Sequence, residues 1–138
     1  MQASMTGPVL IIEDDRDIAE VLRYSLEREA FSTIVAFNGE EGLKASLDQA
    51  NPPSVILLDI FLPGMKGTEI CRRLRTEPRT QDIPIIIVSA KPIDSSTNHL
   101  GADYYIPKPF SVREVIDCVR ELQVRPVALS PSAIRTSA

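Results

Sequence analysis

The sequence predicts an α/β fold: a doubly wound parallel sheet with helices on both faces. Three observations carry this. Short apolar runs such as "VLII", "VILLDI" and "IPIIIV" alternate with segments whose apolar residues recur at helical spacing. The runs are apolar throughout rather than at every second residue, the mark of strands buried on both faces. A helix-length stretch separates most successive runs, as a parallel crossover requires, and such crossovers are right-handed.

The elements follow in order. Residues 9–13, "VLIIE", form the first strand. A helix is predicted from about residue 16 to 29, with Asp15 as its cap and Ile18, Val21, Leu22 and Leu26 on one apolar face. Residues 32–37, "STIVAF", are the second strand. "NGEEGLKASLDQA" is helical, capped by Asn38, with Leu43 and Leu47 inward. "SVILLDIF", bounded by "NPP" and "LPG", is the third strand, ending on Asp59. "KGTEICRRLRTE" is helical, with Ile70, Cys71 and Leu74 facing the sheet. Residues 83–90 are the fourth strand and "DYYIP" the fifth. "SVREVIDCVRELQV" is the last helix. Ser111 and Glu114 form its capping box, and Val112, Val115, Ile116, Val119 and Leu122 its core face. Residues 1–7 are expected to be a disordered N-terminus, 8–125 one folded domain, and 126–138, "PVALSPSAIRTSA", a flexible tail or linker start.

Composition narrows the function. The 138 residues suit one domain with a sizeable core. A net charge of −4, with no basic stripe, argues against direct nucleic-acid binding. No apolar run approaches the length of a membrane span. The first eight residues lack the charged and apolar regions of a secretory signal. Cys71 and Cys118 both fall in helical patterns and read as small buried hydrophobes in a reducing, cytoplasmic setting. Two cysteines and one histidine are too few for a usual zinc site.

The chemistry gathers at the strand ends. In open parallel sheets, ligands bind beyond the carboxyl ends of the strands. The first strand ends "EDD" (Glu13, Asp14, Asp15) and the third ends at Asp59. Taken alone, either is a solvated turn or helix cap. If the two strands are neighbours, their carboxylates converge. Two such charges about 5 Å apart repel by roughly 3 kcal/mol at an effective dielectric near 20. A hard divalent cation such as Mg²⁺ offsets that repulsion with oxygen ligands. The fourth strand offers the Ser89 hydroxyl, with the small Ala90 beside it. The fifth leads into "IPKPF", where Pro107 and Pro109 stiffen the backbone around Lys108, and a cis Lys108–Pro109 bond would aim the ammonium. Carboxylates, a hydroxyl and an ammonium together suit metal-assisted transfer of phosphate to a carboxylate.

"VLIIEDDRDIAEVL", "VILLDIFLPGMKGTEI", "IPIIIVSA" and "GADYYIPKPF", in that order, resemble the CheY-like response-regulator receiver domains of two-component signalling. The resemblance spans residue 9 to about 124. It implies a flavodoxin-like (βα)5 sheet of five parallel strands in order 2-1-3-4-5. It also implies that Asp59 is the phosphoacceptor. Asp14, Asp59 and the Phe61 backbone carbonyl would bind Mg²⁺ directly, with Glu13 acting through water. Ser89 and Lys108 would bind the phosphoryl group, and Tyr105 would be the aromatic switch. A histidine kinase or histidine phosphotransfer protein would donate the phosphate, and a downstream protein or effector domain would read the result. Such a chain is a signalling switch rather than a turnover enzyme.

Two departures stand out. "KPIDSSTNHL" is a few residues shorter than the family spacing and rich in helix-opposing residues, so the fourth of five helices is expected to be short or irregular. His99, in that segment, reads as a surface residue. Phe61 and Lys91 border the phosphoryl position, and the apolar Phe61 is expected to hinder attacking water. Two rival readings remain. A haloacid-dehalogenase-like phosphatase would use Asp15 of "DRD" as nucleophile, but leaves Asp59 unexplained. A receiver-like binding module that is never phosphorylated has no need of the full set of Glu13, Asp14, Asp59, Ser89 and Lys108. A flavodoxin is disfavoured because the acidic first loop would repel a flavin phosphate.

Overall fold

The structure, a computed structural model, describes residues 7–90 and 101–124. Its elements run β1 (Val9–Ile12), α1 (Arg16–Arg28), β2 (Thr33–Ala36), α2 (Gly39–Ser46), β3 (Val55–Asp59), α3 (Gly67–Thr76), β4 (Ile85–Ser89), β5 (Tyr104–Pro107) and α4 (Val112–Val124). All strand pairs are parallel and the order is β2-β1-β3-β4-β5, as expected. The expectations for the N-terminus, for the helix within residues 91–100 with His99 and Lys91, and for the tail lie outside the described residues.

Burial explains the sequence pattern. The inner strands β1, β3 and β4 are buried at every residue, which is why they read as unbroken apolar runs. The edge strands β2 and β5 are only partly buried and carry Thr and Tyr. Side chains alternate between two layers. Val9, Ile11, Val55, Leu57, Ile86 and Val88 meet α1 and α4, while Leu10, Ile12, Ile56, Leu58, Ile85 and Ile87 meet α2 and α3. Cys71 and Cys118 form no disulfide with each other, lie buried in opposite layers, and burial pushes both thiols up to about 11.

The helix caps bear out the local reading. Asp15 Oδ1 accepts from the N–H groups of Asp17 (2.9 Å) and Ile18 (3.1 Å). Asn38 Oδ1 accepts from Glu41 N–H at 2.9 Å, and Glu41 reaches back to the Phe37 N–H. Ser111 Oγ accepts from Glu114 N–H at 3.4 Å. Helix α1 closes without a glycine. Ala30, at φ 73°, lets the Phe31 N–H bond Leu26 O and its own N–H bond Glu27 O.

Two inward faces differ from expectation. Val21 is 48% exposed, and the buried face of α1 is Ala19, Leu22 and Leu26, with Ile18 at its margin. At 100° per residue Val21 lies outside the stripe that the other three centre. Helix α2 ends at Ser46, so Leu47 is its C-cap and only half-buried. Leu43 packs half-buried against the α2–α3 layer, as expected, but the fully buried residues of α2 are Gly39, Gly42 and Ser46. A Cβ on Gly42 would come within 2.5 Å of Ile12 Cδ1, so α2 lies directly on β1.

Candidate functional site

Ile12 pairs with Leu58, so Glu13 and Asp59 leave the sheet side by side where the strand order reverses. Both are buried, at 3% and 5% exposure, while Asp14 is exposed. One carboxylate oxygen from each of Glu13, Asp14 and Asp59 lies within 4.8 Å of the other two. Lys108 arrives from β5, past the end of β4, where the side chains are the small Ser89 and Ala90. Its N–H donates to Ser89 O at 2.8 Å, and the Lys108–Pro109 peptide is cis. The Lys108 ammonium donates to Glu13 Oε1 at 3.2 Å and to Asp59 Oδ2 at 3.3 Å.

The loop after β3 holds Asp59 in place. The Phe61 N–H donates to Asp59 Oδ1 at 3.0 Å, while the Phe61 ring is 48% exposed at the pocket mouth. Gly64 takes φ 77° in the "LPG" turn, a conformation suited to glycine. Gly67 then returns the chain onto Asp59. Its N–H donates to Ile60 O at 2.9 Å, and a Cβ there would lie 2.4 Å from Ile60 Cα and 2.7 Å from Asp59 O. Sequence reasoning missed this contact. Its one signal was a glycine as the first residue of the helix, after Lys66, whose side chain makes no capping bond.

Charge in the pocket is uneven. Burial, seconded by the Asp59 carboxylate, raises Glu13 to about 7, although the Asp15 N–H and Lys108 pull the other way. Burial also works against the Lys108 charge, but Asp59 and Glu13 outweigh it and hold its pKa above the usual lysine value. Ser89 is buried on the same sheet face as Ile85 and Ile87. Tyr105 pairs with Ile87 on that face and packs half-buried against the α2–α3 layer. Thus Glu13, Asp14, Asp59 and Lys108 converge, and Ser89 and Tyr105 stand on adjoining strands. Asp15, the nucleophile of the phosphatase reading, spends Oδ1 on capping α1.

The fold and pocket define a class: a flavodoxin-like α/β protein with acids and a lysine gathered at its switch point. Within that class, the chain belongs to the response regulator receiver domain family, whose model matches residues 9–120. Solved structures agree. The receiver domain of Francisella response regulator 1452 is 32% identical, with TM-score 0.75 over 85% of this chain and 96% of that one. The signal receiver domain of a signal transduction histidine kinase from Syntrophus aciditrophicus is 30% identical, with TM-score 0.76 over 90% and 97%. A CheY-like receiver domain protein from Methanospirillum hungatei is 26% identical, with TM-score 0.76 over 85% and 93%. Among the described residues no helix is long and apolar enough to cross a membrane.

Proposed function

We propose that this receiver domain, residues 8–125, accepts a phosphoryl group on Asp59. The donor is a phosphohistidine of a kinase or phosphotransfer protein in the cytoplasm. A carboxylate oxygen of Asp59 attacks phosphorus in line. The O–P bond forms as the P–N bond breaks, and the imidazole leaves and takes up a proton. The observation that carries this reading is one ammonium held between two buried carboxylates at the switch point, with a third carboxylate beside them.

Mg²⁺ fits the residues present. The donor set is all oxygen and compact, and Lys108 pairs with two of its three carboxylates. Asp14, Asp59 and the Phe61 carbonyl would hold the ion directly, and Glu13 through water. When bound, the ion neutralises phosphoryl oxygens. Lys108 supplies a second positive charge from the β5 side, and the Ser89 hydroxyl donates to a phosphoryl oxygen. Ser89 then draws toward the pocket, and Tyr105, on the same sheet face, follows it inward. That movement changes which downstream partner binds. The product stays on the protein, so the chain acts as a switch rather than by turnover.

The test is incubation with acetyl phosphate and Mg²⁺, read by intact mass. Wild type gains one phosphoryl group, while Asp59→Asn, or wild type with the cation chelated, gains none. Labelling that persists in Asp59→Asn, or wild type that never labels, overturns the reading.

A further inference from the structure

The described residues contain a second, half-buried charge cluster, at the opposite end of the sheet from the pocket. Arg75, near the end of α3, has a side chain only 22% exposed, and Asp103, just before β5, one only 13% exposed. Three guanidinium nitrogens serve four acceptors on two other segments. Nε donates to Gly101 O at 3.0 Å. Nη1 donates to Gln81 O at 3.0 Å and Ile83 O at 2.8 Å. Nη2 donates to Asp103 Oδ2 at 3.2 Å. That same Asp103 oxygen accepts from the Ile85 N–H at 2.9 Å, and the Asp103 N–H returns a bond to Ile85 O at 2.8 Å. Arg75 therefore ties together α3, the approach to β4 and the entry to β5.

β5 has reason to need such a tie. It is a four-residue edge strand, paired with β4 alone, and it ends in a proline. A buried face pins the register of a strand, and that of β5 is only two residues long, Tyr104 and Ile106, against a single neighbouring strand. The start of the strand discriminates little, because Tyr104 and Tyr105 are identical neighbours, so a one-residue slip still puts a tyrosine in one of the two tyrosine sites. Register matters here because everything β5 contributes depends on it. Tyr104 faces α4 and bonds Glu121 at 2.7 Å, Tyr105 faces the α2–α3 layer, and Lys108 reaches Glu13 and Asp59. A slip of one residue moves the chain by about 3.3 Å and reverses the faces. That is enough to take the ammonium out of bonding range of both carboxylates.

We propose that Arg75 is a positioning residue for the pocket: through Gly101 and Asp103 it sets the register of β5, and so the reach of Lys108 and the facing of Tyr105. A planar fork with several fixed donors suits this role, and a single ammonium does not reproduce it.

The test is native-state hydrogen exchange on the whole chain, comparing two amides with known partners. The Lys108 N–H bonds Ser89 O across the β4–β5 edge, and the Val9 N–H bonds Ser32 O at the far side of the sheet. In Arg75→Ala and Arg75→Lys, exchange at Lys108 rises at least tenfold more than at Val9. Asp103→Asn keeps an acceptor for the Ile85 N–H and loses only charge. It gives the same pattern at about threefold, and carries the test if Arg75→Ala fails to fold. The core control Leu22→Ala, on α1, raises both amides alike. Equal rises at both amides in the Arg75 and Asp103 variants, or none at Lys108, overturn the proposal. This readout is independent of the phosphoacceptor reading, whose failure shows separately as wild type that does not label.

Discussion

Where β4 and β5 begin, Arg75 faces one carboxylate and three carbonyls, each within 3.2 Å of a guanidinium nitrogen. At the other end of the same strands, Lys108 faces two buried carboxylates, and an oxygen of a third, Asp14, lies within 4.8 Å of theirs. The first cluster pairs one positive charge with one negative and is complete. Among the described residues, the second is short of positive charge. A fold keeps such a deficit at a cost, and the deficit is where the proposed cation and phosphoryl group would bind. Among the described residues no buried side-chain polar atom lacks a partner. The deficit is therefore one of charge, not of hydrogen bonds.

The comparison breaks most readily at Lys108. Lys108→Ala leaves Glu13 and Asp59 buried together without their cation and is expected to cost about 3 kcal/mol at pH 8. Urea unfolding without divalent cations measures this, and added Mg²⁺ should recover part of it. Next comes Gly67→Ala, whose Cβ meets backbone at 2.4 Å. It is expected to cost about 2 kcal/mol by overpacking and to displace the Asp59 loop, seen as weaker Mg²⁺ binding. A stable variant with unchanged Mg²⁺ affinity would remove Gly67 from the site.

The pH dependence sharpens the contrast. Glu13 titrates near 7 in the folded chain against 4.5 ordinarily. A raised carboxyl pKa means that the folded state holds the proton more tightly. The contribution of Glu13 to stability is thus fully present below about pH 4.5 and lost as pH rises through about 7. Thermal unfolding of the metal-free protein across that window should show the loss, and Glu13→Gln should flatten it. The smallest change in stability is expected at the exposed Phe61. Phe61→Asn should leave the melting temperature within error but speed loss of the phosphoryl group severalfold, by admitting water. An unchanged phosphate-loss rate would end that role for the ring.

Much of this was legible in the sequence because the inner strands are buried on both faces and so carry unbroken apolar runs. The pocket was legible because its residues sit at strand ends, next to prolines or turns. Other features left weaker traces. Val21 read as core because its type fits, although its angle on α1 does not. On α2 the periodicity found Leu43, but the residues buried deepest are Gly39, Gly42 and Ser46, and apolar periodicity does not register glycines. Arg75 is one of three arginines on α3, and nothing in the sequence sets it apart. Its proposed role depends on Gly101 and Asp103, brought to it only by the fold.

One consequence concerns how the molecule can be watched. The chain has no tryptophan and three tyrosines. Tyr24 is exposed on α1, while Tyr104 and Tyr105 stand back to back on β5, one in each layer. The two tyrosines packed against the core therefore share a single strand, and in a Tyr24→Phe background a change in their ultraviolet emission reports on β5 without any attached dye.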